Sequence, residues 1–383
     1  MRWEIVKAAT LVALIESTAA APSADKKAEL NIVKTTKENG ITIDWVTRES
    51  QGKVFTPPLE PHAGADKEKF GRNVTLGLGA QGPDGTVPIV RVENNVPMKQ
   101  PAPLYRDDNF NATELHARAV SVRGKHWYAH SSSYDWNLGG GAYISTHRPF
   151  VKQDGDQSLL QIAAMYVEFD HSNNTVKWQQ TVEAGWRYYP AADKGGPVLF
   201  TYYTTDGYET GVDENYERGW FQYDKEISPG MPIAAFSVQG GRQEEIELRY
   251  RLHNGCWWLY TMGRYIGCYP ASLFALEGVN PRNTLATRSS NFSFHGEVYS
   301  IDGLPTATEM GSGRPARDGW KYAAYMRDMK WIDINGQEHD WDGYSWADDD
   351  AGYSIETEFL SGTAGWNSYM FLGGRGTGRG RVY

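Results

Sequence analysis

Phe292-Ser293-Phe294-His295-Gly296-Glu297-Val298-Tyr299 is the stretch from which the fold can be read. Taken with the two-residue period of a β-strand, it places Ser293, His295, Glu297 and Tyr299 on one face and Phe292, Phe294 and Val298 on the other. The apolar face can enter a core, while the opposite face carries a carboxylate among polar and aromatic groups. Thr181-Val182-Glu183-Ala184-Gly185-Trp186 is written the same way. Gln179, Thr181 and Glu183 share one face, and Trp178, Val182 and Ala184 the other. Trp186 then points away from Glu183 unless Gly185 makes a bulge. A carboxylate in such surroundings loses hydration, which raises its pKa and readies it to carry a proton. Two of them on the concave side of a sheet can divide the acid and base work of a hydrolysis.

The rest of the chain is built from similar material. Aromatics are 13% of the residues and glycines number 41, so short aromatic or β-branched runs are interrupted before any long helical period can develop. That composition predicts an all-β sandwich or barrel. From His126 onward, strands are expected at 142–146 (after Gly139-Gly140-Gly141), 162–169, 176–186, 198–205, 233–238, 246–252 and 292–300, with no helix. Residues from about 22 to 125 differ, being richer in Lys, Pro and Asp and poor in Trp. They read as a small module, with strand potential at 41–46 and 87–92, joined to the remainder by a Pro-rich linker. Arg118, Arg123 and Lys125 would expose that junction to proteolysis.

Residues 1–20 have the layout of a secretory signal: Arg2 and Lys7 bracket a basic region, 8–15 are apolar, and small residues follow to Ala21. The apolar run is too short to span a membrane, and no later run reaches about 18 residues. The protein is therefore expected to be secreted and extracellular, with no membrane partner. Asn73, Asn111, Asn173 and Asn291 head four glycosylation sequons. A formal net charge of −9 argues against general nucleic-acid binding. The only cysteines, Cys256 and Cys268, are equidistant from position 262, so a hairpin with a three-residue loop around Met262-Gly263 would set them opposite each other as a disulfide. His126, His130, His147 and His295 form no zinc-ligand spacing, and no metal or cofactor is expected. The acidic run from Asp340 to Asp350 is read as a solvated loop rather than a calcium site, and the Gly-Arg-rich tail from Gly373 to Arg381 as a frayed terminus.

Several segments together resemble the neprosin family, glutamic peptidases that cleave at proline. They are Val182-Glu183-Ala184-Gly185-Trp186, the run from Leu199 to Tyr208 leading into Thr210-Gly211, Trp257-Trp258-Leu259, Ile266-Gly267, Tyr269-Pro270, His295-Gly296-Glu297-Val298, Met310-Gly311-Ser312-Gly313 and Ala323-Ala324-Tyr325. The likeness covers roughly residues 126–375. It implies a jelly-roll-like antiparallel β-sandwich of two large sheets over 126–383, with Glu183 and Glu297 as the catalytic pair. It also implies that 21–125 is a propeptide acting as an intramolecular inhibitor, and that the substrates are proline-containing peptides or proteins. The chain departs from plant members at Val212, where they commonly carry a cysteine. A monomer is expected.

Under that reading an ionised glutamate takes a proton from water while a protonated one steadies the oxyanion and then the leaving amine. Glu183 is assigned as base and Glu297 as its partner, an order the sequence leaves open. Two near carboxylates share one proton, which predicts activity at acid pH. Tyr202, Tyr203 and Tyr208 are candidate walls for a proline ring, with His295 and Tyr299 beside them on the Glu297 face. Only one of Tyr202 and Tyr203 can face the cleft of a regular strand. Two rivals share the aromatic sandwich: a glycoside hydrolase using paired carboxylates, and a carbohydrate-binding module whose aromatics stack on sugars.

Overall fold

The alternation around Glu297 is realised as β15 (Asn291–Ser300), an interior strand of a seven-stranded sheet. In the computed structural model, residues 30–59, 72–73, 81–91, 124–170, 172, 175–193, 195–208, 212–213 and 219–378 are described. The strands around β15 are β5 (Lys125–Ser133), β7 (Gln157–Asp170), β8 (Thr175–Tyr188), β9 (Val198–Thr204), β10 (Val212–Asp213) and β18 (Tyr344–Ala347). Their order is β10-β9-β8-β7-β15-β5-β18, antiparallel at every pairing. β7 and β8, at 14 residues each, are the longest strands among the described residues. Their register is unbroken through Gly185, so no bulge forms there and Trp186 does turn away from Glu183.

A second sheet faces the apolar side of the first. Its strands are β3 (Arg72–Asn73), β6 (Asn137–Ser145), β11 (Phe221–Gln222), β12 (Glu244–His253), β13 (Cys256–Thr261), β14 (Arg264–Pro270), β16 (Ala324–Asp333), β17 (Glu338–Asp340), β19 (Ser354–Glu358) and β20 (Tyr369–Gly373). Leu160, Ile162, Val182, Trp186, Phe292 and Phe294 from one sheet bury against Ile144, Leu248, Trp257, Met326 and Leu372 from the other. Polar atoms in this layer are paired across it. Trp186 Nε1 donates to the Ser145 carbonyl at 2.9 Å, and Tyr250 Oη to the Glu183 carbonyl at 3.0 Å. Each sheet thus supplies one closed face to a common core, the architecture of a β-sandwich. Among the described residues the only helical turns are short 3₁₀ segments.

Several expectations are corrected. Gly139-Gly140-Gly141 does not precede β6 but lies inside it, because the neighbouring backbones come too close for a side chain. A Cβ on Gly139 would stand 2.0 Å from the Tyr250 carbonyl oxygen. Residues 233–238 are not a strand: Ile233 N–H bonds the Pro197 carbonyl and Ser237 N–H that of Thr146. The hairpin at 262 turns over two residues, Met262 (φ 51°) and Gly263 (φ 81°), and a bulge at Leu259–Tyr260 shifts the register. Cys256 therefore sits opposite Pro270 rather than Cys268, and the disulfide joins a diagonal pair with Cα atoms 5.8 Å apart. The tail is not frayed as far as residue 378. Gly376 N–H bonds the Gly352 carbonyl and Gly378 N–H that of Thr306, and a Cβ on Gly376 would lie 2.0 Å from that same Thr306 oxygen. Asn291 is 3% exposed and accepts a hydrogen bond from Ser132, so this sequon cannot carry a glycan in the folded protein. Asn111, Asn173 and the Asn73 side chain lie outside the described residues, as do the signal segment, Arg118 and Arg123.

The N-terminal module contributes a three-stranded sheet, β1 (Ile32–Glu38), β2 (Ile41–Thr47) and β4 (Thr86–Arg91). It is attached to the rim of the second sheet near β14. Ile43, Trp45 and Val90 close on Met231, and Phe55 packs edge-on to Phe221 with ring centres 5.5 Å apart. Gln51 exchanges two hydrogen bonds with the Gln222 backbone, and Arg48 donates to the Tyr223 carbonyl.

Candidate active site

β7 runs between the two strands that carry the glutamates. On β8, Glu183 stands opposite Ala163; on β15, Glu297 stands opposite Leu159. Midway on β7, Gln161 faces Gly185 on one side and His295 on the other. Residues directly opposite across a ladder share a face, so Glu183, Gln161, His295 and Glu297 form one diagonal on the side turned away from the core. Both carboxylates are buried, Glu183 at 1% and Glu297 at 0% exposure.

Their surroundings differ. Glu183 Oε1 accepts hydrogen bonds from Thr181 Oγ1 at 2.7 Å and from the Tyr208 hydroxyl. Tyr208 is aimed there by a turn that puts it in the left-handed region at φ 70°, held by its N–H to Thr204 Oγ1 at 2.9 Å. Its ring stacks on Tyr202, with centres 5.6 Å apart and planes 8° from parallel. Tyr202 faces Glu183 across the β8–β9 ladder. Together with Leu159, Ala163, Met165 and Phe200 they make an apolar patch beside Glu183. Burial pushes Glu183 up to about 7, against the lowering effect of Tyr208 and Thr181, and the nearby Glu297 charge adds to the rise.

Glu297 is tied to an imidazole instead. Its Oε1 lies 2.5 Å from His126 Nδ1, and Oε2 has no hydrogen-bond partner among the described residues. His126 is held by the Tyr299 ring, 4.6 Å away. Tyr128 faces Glu297 across the β5–β15 ladder. Burial, and then the Glu297 charge, raise its hydroxyl well above the usual range, so it remains a donor. His295 is buried and pushed down to about 3, hence neutral; its Nε2 meets the Gln161 side-chain amide.

Of the residues singled out in the sequence, Glu183, Glu297, Tyr202, Tyr208, His295 and Tyr299 share this face. Tyr203 does not: it points into the core, packed on Tyr269 at 5.0 Å and on Phe274. Sequence reading missed His126, Tyr128 and Gln161. Gln161 carries the same alternation signal as the glutamates, whereas nothing local indicates that β5 would be the strand paired with β15. Asp348 and Asp349 in the acidic run accept hydrogen bonds from backbone N–H groups of Tyr128, Ala351 and Gly352. A separate polar cavity of about 490 Å³, lined among others by Glu309, Arg314, Arg317, Asp350 and Arg375, includes neither glutamate.

Set against known protein families, residues 155–375, more than half of the chain, match the family described as Neprosin. The chain belongs to the neprosin family. It is accordingly a peptidase of the glutamic class, and the glycosidase and sugar-binding rivals fall away. Among solved structures, this neprosin-family chain is similar to scytalido-glutamic peptidase with a peptide-based transition-state analogue, at 9% identity and TM-score 0.34, covering 67% of this chain and 100% of that one. It is also similar to SCP-B, a member of the eqolisin family of peptidases in complex with the tripeptide Ala-Ile-His, at 8% identity and TM-score 0.33 with the same coverage. Membership of the neprosin family stands independently of both.

Proposed function

We propose that the protein is a secreted endopeptidase that hydrolyses peptide bonds next to proline, with Glu183 and Glu297 as its catalytic pair. The observation that carries this is two buried carboxylates on one sheet face in unlike surroundings. Glu297 keeps one oxygen on His126 and the other without a partner among the described residues, which suits a base drawing a proton from water. Glu183, raised to about 7, holds its proton in acid and can donate to the oxyanion and later protonate the leaving amine. This reverses the order taken from the sequence, where Glu183 is the base. Activity then declines as pH rises through about 7 and Glu183 loses its proton. The stacked Tyr202–Tyr208 wall beside Glu183 supports a preference for a flat apolar ring such as proline. The disulfide supports export.

We further propose that residues 21–125 act as a propeptide. Its small sheet packs on residues 221–231, and β5 begins at Lys125, one residue before the histidine that binds Glu297.

The test is hydrolysis of proline-containing peptides by acid-incubated full-length protein across pH 3 to 8, with products mapped by mass spectrometry. Glu183→Gln and Glu297→Gln are each expected to lose about 10²–10⁴-fold in kcat while remaining folded. Retained activity in either folded variant would overturn the pair, and cleavage without regard to proline would overturn the specificity.

A further inference from the structure

Gln161 is 0% exposed and stands at the centre of the diagonal, two residues of register from each glutamate. Its Nε2 faces His295 Nε2, and the neutral imidazole can accept there because its other nitrogen, Nδ1, lies 3.4 Å from Ser293 Oγ. The Gln161 side chain also lowers the pKa of Glu183, though less than Tyr208 and Thr181 do. Gln161 Oε1 is buried with no partner among the described residues. An orphaned acceptor in a dry site is costly unless something arrives to satisfy it. Gly185 keeps the space around it open: a Cβ there would lie 2.7 Å from the Gln161 Cβ. Glu297 Oε2, like Gln161 Oε1 a buried oxygen without a partner among the described residues, belongs to the group next along the diagonal.

We propose that Gln161 is a positioning residue for the nucleophilic water, its Oε1 accepting one hydrogen of the water whose other proton passes to Glu297 Oε2. The inference rests on the two-glutamate reading above. The water oxygen, fixed by two acceptors, attacks the scissile carbonyl carbon. Its lost proton resides on Glu297, and the proton of Glu183 serves the oxyanion. Collapse breaks the C–N bond as the amine takes the proton of Glu183, and the proton held by Glu297 then passes to Glu183, so that one water is consumed per bond and both carboxyls return to their starting states. Orienting a nucleophile in this way acts on the chemical step rather than on substrate affinity.

The experiment compares full-length, acid-incubated wild type with Gln161→Met, which keeps the volume but removes the acceptor, and Gln161→Glu, which keeps an acceptor oxygen. For Gln161→Met, kcat should fall about 10²-fold with KM nearly unchanged, and the alkaline limb of the pH profile should move upward because the lowering effect of the amide on Glu183 is gone. Gln161→Glu should retain most activity at low pH, where the introduced carboxyl is neutral, and lose it as that group ionises. A folded Gln161→Met with wild-type kcat overturns the inference. Should that variant fail to fold, a Gln161→Glu profile identical to wild type overturns it. Glu297→Gln measured alongside separates the failures: if it stays active, the two-glutamate reading falls and this inference with it, whereas an inactive Glu297→Gln beside an unaffected Gln161→Met sinks only the role of Gln161.

Discussion

Glu183 and Glu297 are the same residue type on the same sheet face, and the difference between them is made by what each touches. Glu183 is surrounded by hydroxyls and aromatic rings, which do not offset the loss of water, so its proton is retained up to about pH 7. Glu297 has an imidazole within 2.5 Å. The pKa of Glu183 has a consequence for folding. The folded state binds a proton more tightly than the unfolded chain between the ordinary value of 4.5 and about 7, so stability falls as pH rises across that window and is level above it. The shift corresponds to about 3 kcal/mol. Glu183→Gln, which cannot ionise, should therefore match wild type in urea unfolding at pH 4 and exceed it by up to about 3 kcal/mol at pH 8. An equal difference at both pH values would refute the shift. Period-two alternation showed that each carboxylate would sit on a polar-aromatic face, but the partners that separate their chemistry, His126 and Tyr208, come from other strands and turns.

Among the elements, the β13–β14 hairpin shows how far a local signal reaches. Turn residues and two cysteines made the hairpin and its disulfide legible, while the bulge at Leu259–Tyr260, which sets the cysteines diagonally, carried no local signal. Trp258, Tyr260, Tyr265 and Phe221 gather around the bridge in a cluster of their own, apart from the main core. Replacing both cysteines by alanine opens a link between residues 12 apart and should cost about 3 kcal/mol. It should leave kcat unchanged, since the hairpin belongs to the other sheet. Thermal unfolding and peptide hydrolysis on the same preparation would check both, and a drop in kcat without a drop in melting temperature would contradict this separation. Tyr202 and Tyr203 make the matching point for β9. Alternation required one to face the site and one the core, but the choice fell to Tyr202 only through the pairing of β9 with β8.

For the molecule as a whole, the N-terminal sheet joins the sandwich both through the main core, which includes its Val46, Val87 and Ile89, and through an aromatic contact at the hairpin. Phe55, 9% exposed, packs edge-on to Phe221 within the cluster that also holds the hairpin's Trp258, Tyr260 and Tyr265. Phe55→Ala should weaken this anchor by about 2 kcal/mol, at the low side for a large buried aromatic because the site is at a rim. If the module restrains the enzyme, the full-length variant should mature faster on acid incubation than wild type, followed by the time course of fragment appearance on a gel. Identical time courses would show that the anchor plays no part in latency.

The all-β character, the polar face of each glutamate-bearing strand and the hairpin that holds the two cysteines are legible in the residues themselves, because they follow from alternation and turn chemistry within a few positions. That β7 lies between β8 and β15, that β5 brings His126 to Glu297, and that Gln161 stands between the carboxylates emerges from the folded chain alone. Strand order and register minimise the free energy of the whole assembly of faces, and residues from 126 to 297 meet in one site without any local signal that names their partners.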